Sequence, residues 1–154
     1  MKRILVILVL SVASLTVSEV CHAQFSRLSI GKYGISSIYP ESFRAVNGSV
    51  WLEVTNPMEG FTVSDVQGVV YKDGTPFVTG STSDFHIASG SGRRTISGRA
   101  ALCDGVSLWT VLSLLSFDPN DYSVDLSLRI TMDSGQSRVV TKTGLPLKTL
   151  LKLR

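Results

Sequence analysis

Cysteine and histidine are nearly absent from this chain. Its 154 residues hold two of each, and Cys21 and His22 fall in an N-terminal stretch that reads as a leader, which leaves Cys103 and His86. One cysteine cannot close an intramolecular disulfide, so burial must hold the core together. One histidine and one cysteine cannot complete a structural zinc site, which takes about four such ligands; no metal and no cofactor are expected. A long apolar run is also lacking. The uncharged stretch Ile4 to Val17 has 14 residues, short of the roughly 20 that a membrane-spanning helix needs. Nor does one sign of charge dominate. Fifteen basic residues face twelve acidic ones, and without Lys2, Arg3 and Glu19 the balance is 13 to 11. Nucleic-acid binding, which asks for a concentrated basic face, is not expected.

What is present begins with that leader. Lys2 and Arg3 give a positive start, the apolar run follows, and Cys21-His22-Ala23 places small residues at the last and third-last positions before Gln24. This is the layout of a secretory signal peptide. The expectation is a signal peptide over 1–23 and a secreted or periplasmic mature chain over 24–154. That chain is long enough for a single domain with its own core, and it has no stable membrane span.

Turn signals recur along the mature chain at Pro40, Asn47-Gly48, Asn56-Pro57, Asp73-Gly74, Gly90 to Gly92, Pro119-Asn120 and Ser134-Gly135. Short strands between such punctuation predict an all-β sandwich or barrel. Alternation agrees: Val50, Leu52 and Val54 share one face of a strand, and Tyr122, Val124, Leu126, Leu128 and Ile130 share one face of another. Asp73-Gly74 between two apolar runs reads as a hairpin. Seven strands are predicted, near 27–38, 48–56, 61–72, 76–87, 93–102, 122–132 and 137–143. Val106 to Ser116 departs from this pattern, with Leu108, Val111, Leu112 and Leu115 at helical spacing and no charge between Asp104 and Asp118. One short buried helix is expected there, capped by Asp104 and ended before Pro119.

The order of pieces resembles the group-2 late embryogenesis abundant domain, also called the water-stress and hypersensitive-response (LEA14-like) domain. The resemblance runs over about 27–146. It is carried by a strand ending in Asn56-Pro57, then Phe61-Thr62-Val63, a hairpin around Tyr71-Lys72-Asp73-Gly74, a Ser/Gly-rich stretch at Ser89 to Gly92, the apolar helix, Asp121-Tyr122 entering a strand, and a close near Gly144-Leu145-Pro146. It implies an immunoglobulin-like seven-stranded sandwich with one short helix, no catalytic residues, and a protective or binding role.

Catalytic strings are few. Ser29-Ile30-Gly31-Lys32 matches S-x-x-K and Lys142-Thr143-Gly144 matches K-T-G, but Ser29 lies in a β-like stretch and no S-D-N follows, so both read as chance. No G-x-S-x-G elbow exists, and any Ser-His-Asp set must use His86, which alternation places on the surface of a strand. Cys103 reads as a small buried apolar residue rather than a reactive thiol. Gly90-Ser91-Gly92-Arg93-Arg94 offers amides and charge for an anion, although a loop with solvated arginines is the simpler reading. Arg93, Arg94 and Trp109 are the candidates for ligand or partner contact. The function expected is a non-catalytic secreted or periplasmic module, either protein-binding or stress-protective, with an envelope protein as its partner. The alternative is a carrier of a small apolar ligand held between the sheets beside the helix, with Trp109 and the leucines around it.

Overall fold

The computed structural model describes residues 28–107 and 118–148. The expected leader, most of the expected helix and Trp109 lie outside the described residues. Within them the chain is mainly β, with eight antiparallel strands in one hydrogen-bonded sheet. These are β1 (Ser29–Pro40), β2 (Ala45–Asn56), β3 (Phe61–Lys72), β4 (Thr75–Thr82), β5 (Phe85–Ile87), β6 (Gly90–Leu102), β7 (Tyr122–Met132) and β8 (Ser137–Pro146). Their order is β1-β2-β6-β4-β3-β7-β8, with β5 paired to the first residues of β3. No helix among the described residues is long and apolar enough to cross a membrane.

Alternation decides which face each strand buries. On β7 the predicted set holds: Tyr122, Val124, Leu126, Leu128 and Ile130 are all buried, and Met132 extends the row. On β2 the inward row is Val46, Val50, Leu52 and Val54. These rows meet Phe61, Val63, Phe77, Val78 and Ile96 in one apolar cluster. Each such side chain contributes about 1.5–3 kcal/mol when fully buried.

Two bulges keep the core filled where strict alternation would fail. Asp65 has φ +53°, and the register with β7 slips between Ser64 and Gln67. The slip moves β3 by one residue, so that Val63 and Val66 are both buried. The Asp73-Gly74 turn has φ +49° and +80°, the signs a two-residue hairpin of type I′ requires. Just beyond it the β3–β4 register shifts again, and the consecutive Phe77 and Val78 are both buried.

Three expectations are corrected. The strand predicted over 76–87 is two strands, because Ser83 and Asp84 interrupt the ladder and β5 pairs only with β3; eight strands replace seven. Asn47-Gly48 is not a turn. It lies inside β2, where Asn47 pairs with Arg99 and Gly48 with Gly98, and the reversal comes earlier, at Glu41 to Arg44, closed by the amides of Glu41 and Ser42 on the Ala45 carbonyl. Gly90 to Arg94 is likewise strand and not loop, laddered to β2 from Asn56↔Gly90 onward. In both places the glycines serve the ladder rather than a reversal of the chain.

Asn56 closes the β2 end. Its side chain is fully buried, and its amide nitrogen donates to the carbonyls of Glu59 and Ala88 at 3.1 and 3.3 Å. Its carbonyl oxygen accepts from the Met58 amide at 3.0 Å.

Candidate functional site

The outward face of the sheet carries the most extended polar arrangement among the described residues. Cross-strand pairing aligns Tyr39, Asn47, Arg99, Ser81, Gln67, Ser127 and Thr141, one from each of β1, β2, β6, β4, β3, β7 and β8. Asn47, Gln67 and Ser127 face outward because both chain neighbours of each are buried, as the period of two demands. A second row, Ser37, Ser49 and Ser97, runs beside it on β1, β2 and β6. Two shallow hollows lie along these rows. One, of about 490 Å³, spans β6 to β8; the other, of about 370 Å³, spans β1 to β4; Ser81 and Arg99 border both. Gly68 and Gly80, paired with each other beside Gln67 and Ser81, border the larger hollow.

Charge in this trough is largely paired. Arg99 grips Glu41 with Nε at 2.8 Å and Nη2 at 3.3 Å, and Asn47 Nδ2 donates to the same carboxylate at 3.1 Å. The Arg99 hydrogen bond, and after it that of Asn47, holds the Glu41 carboxyl below its usual range. Glu41 in turn raises Arg99. Asp125 accepts from the Gly144 amide at 2.8 Å, and its charge raises the phenol of Tyr71. What remains for a ligand is mainly hydroxyl and amide, with the exposed ring of Tyr39 at one end (66% accessible).

The structure separates the two candidate arginines. Arg93 and Arg94 are consecutive in β6, so they leave opposite faces and do not form one anion site. Arg93 stacks on the Trp51 ring at 4.0 Å and lies 3.5 Å from Glu53. Arg94 donates to the Arg93 carbonyl at 3.0 Å. Trp109 is outside the described residues.

Other singled-out groups fall elsewhere. His86 is half-exposed, with Nε2 at 3.0 and 3.2 Å from the Asp133 carboxylate. The neighbouring Ser134 hydroxyl donates to Glu59, at 2.8 Å, and not to the histidine. Ser29 is on β1 and Lys142 on β8, at opposite ends of the strand order. Cys103 follows β6, its amide on the Phe77 carbonyl. Burial, and then the charge of Asp104, raises its thiol pKa. No group of three His, Cys, Asp or Glu side chains is placed to hold a metal among the described residues. The polar row escaped sequence reading because its members lie on seven strands and only pairing register brings them together.

No protein-family model matches this chain, and no curated protein does. Solved structures similar in part include the following two. A crystal structure of a protein from Archaeoglobus fulgidus is 12% identical with TM-score 0.46, over 74% of this chain and 93% of that one. The X-ray structure of a structural genomics target, SoR45, is 10% identical with TM-score 0.29, over 75% of this chain and 80% of that one.

Proposed function

We propose that this chain is a non-catalytic binding module of the secreted or periplasmic space, folded as an immunoglobulin-like sandwich of the LEA14-like kind, and that it binds through the polar trough. The sandwich reading is supported by one apolar cluster that draws on β2 and β6 as well as on β3 and β7, while β4 alone links those two halves of the strand order. The binding reading is carried by the seven-strand row from Tyr39 to Thr141. Supporting the non-catalytic part, the serine beside the His86–Asp133 pair, Ser134, donates to Glu59 and not to the histidine. A nucleophile needs an activating base and a site for the developing oxyanion.

The test places a photo-crosslinking residue at Ser81, at Ser127 and, as a control, at Val139 in the native cell envelope. One adduct common to Ser81 and Ser127, missing at Val139 and lost on Arg99→Glu, supports the reading. Equal labelling at all three positions, or stoichiometric labelling of one serine by a fluorophosphonate or β-lactam probe, overturns it.

A further inference from the structure

We infer that the trough takes a neutral polyhydroxylated chain, an oligosaccharide lying across the strands. This rests on the reading of the outward face as the binding surface and adds the ligand class. Protein interfaces concentrate their energy in aromatic and arginine anchors that become fully desolvated. Here the middle of the row is Ser81, Gln67 and Ser127, side chains that both donate and accept, as the hydroxyls of a sugar do. The arginine of the row is held by Glu41 on two nitrogens, and Asp125 is held by the Gly144 amide. Neither is poised to select a charged partner. Tyr39 supplies an accessible ring face at one end, suited to the apolar C–H face of a pyranose. Within the larger hollow the row runs from Arg99 to Thr141, four steps between neighbouring strands at about 4.8 Å each, roughly 19 Å measured along the sheet. That length suits a chain of several sugar units better than a single small molecule. The two hollows, sharing Ser81 and Arg99, give such a chain a continuous bed. Lys142 also borders the larger hollow, so an acidic chain is the competing ligand.

The experiment titrates the isotope-labelled protein with cellohexaose, maltohexaose and chitohexaose, and separately with hexagalacturonate, following backbone and side-chain amide resonances. At least one neutral hexamer should shift Asn47, Ser81, Gln67 and Ser127 together. Tyr39→Ala and Gln67→Ala should each weaken that binding roughly three- to tenfold, the loss of about one hydrogen bond or stacking contact, with thermal midpoints unchanged because both side chains face solvent. Silence toward all three neutral chains at millimolar concentration overturns the inference. So does a response confined to hexagalacturonate, or one mapping away from the row. If the Ser81 and Ser127 crosslinks still share a partner while the hexamers are silent, the ligand class is wrong and the binding surface stands.

Discussion

The guanidinium of Arg93 lies 4.0 Å from the centre of the Trp51 ring. On β1, Gly34 pairs with Trp51, and a Cβ at Gly34 would come within 2.8 Å of the indole nitrogen. The ring is therefore enclosed between a glycine and an arginine. A cation–π contact at such a site contributes about 0.5–1 kcal/mol, and it spends the arginine that sequence reading had offered to an anion.

Gly34→Val should displace the indole and destabilise the domain by roughly 1–3 kcal/mol, as overpacking does. Arg93→Ala should cost less, about 1 kcal/mol or below. Denaturant midpoints measure both. An unchanged midpoint in Gly34→Val would mean the ring does not rest there.

Asn56 joins the β2 end to two separate turns. Asn56→Ala removes the partners of the Glu59 and Ala88 carbonyls and of the Met58 amide, and should cost about 2–3 kcal/mol. Asn56→Asp keeps the acceptor but loses both donated bonds and buries a charge, so at neutral pH it should be the worse of the two. The order of the two melting temperatures decides the point.

Gly60 lies directly under the His86–Asp133 pair. A Cβ there would run into Asp133 Oδ2 and lie 2.9 Å from His86 Nε2. Gly60→Ala should therefore displace the Asp133 carboxylate and weaken the His86–Asp133 pair, at a cost of about 1 kcal/mol or below because both side chains are half-exposed. In an Asp133→Ala background the same change should cost clearly less, since residues in contact are not additive. A double-mutant cycle of chemical denaturation reads the difference.

Burial and Asp104 both raise the Cys103 thiol pKa, which lowers its thiolate fraction at any given pH. Alkylation by iodoacetamide at neutral pH should be slower than for a free cysteine and should rise with pH into the alkaline range. Asp104→Asn, which removes the lesser cause, should speed it modestly. The stability tied to this shift is complete below the unfolded thiol's pKa and fades as pH rises through the folded one. Fast labelling at neutral pH would show an activated thiol instead.

Much of the fold was legible because alternation is local. The inward row of β7 could be read residue by residue, and so could Asp73-Gly74, whose chemistry dictates its turn. Asn47-Gly48 and Gly90 to Gly92 misled because glycine marks turns and also close packing inside a sheet; only the pairing of Gly48 with Gly98 tells which. The break at Ser83-Asp84 was hidden for a similar reason, since it depends on which strand β5 finds. The trough was least visible of all. Each of its members is an ordinary surface polar residue until the register sets Gln67 between Ser81 and Ser127.

The place of β4 in the strand order has a kinetic consequence. Ala45 pairs with Ala101 and Phe61 with Met132, 56 and 71 positions apart along the chain. Such non-local pairing costs loop-closure entropy before contacts repay it, and folding on a millisecond-to-second scale follows. β4 pairs with its sequence neighbour β3 on one edge and with β6 on the other, so the local hairpin it forms is the template on which the distant strands must register. Val78, fully buried and paired with both Val70 and Leu102, sits at that junction. Val78→Ala should slow refolding in proportion to its loss of stability, and a core truncation on β7, such as Leu128→Ala, should chiefly hasten unfolding.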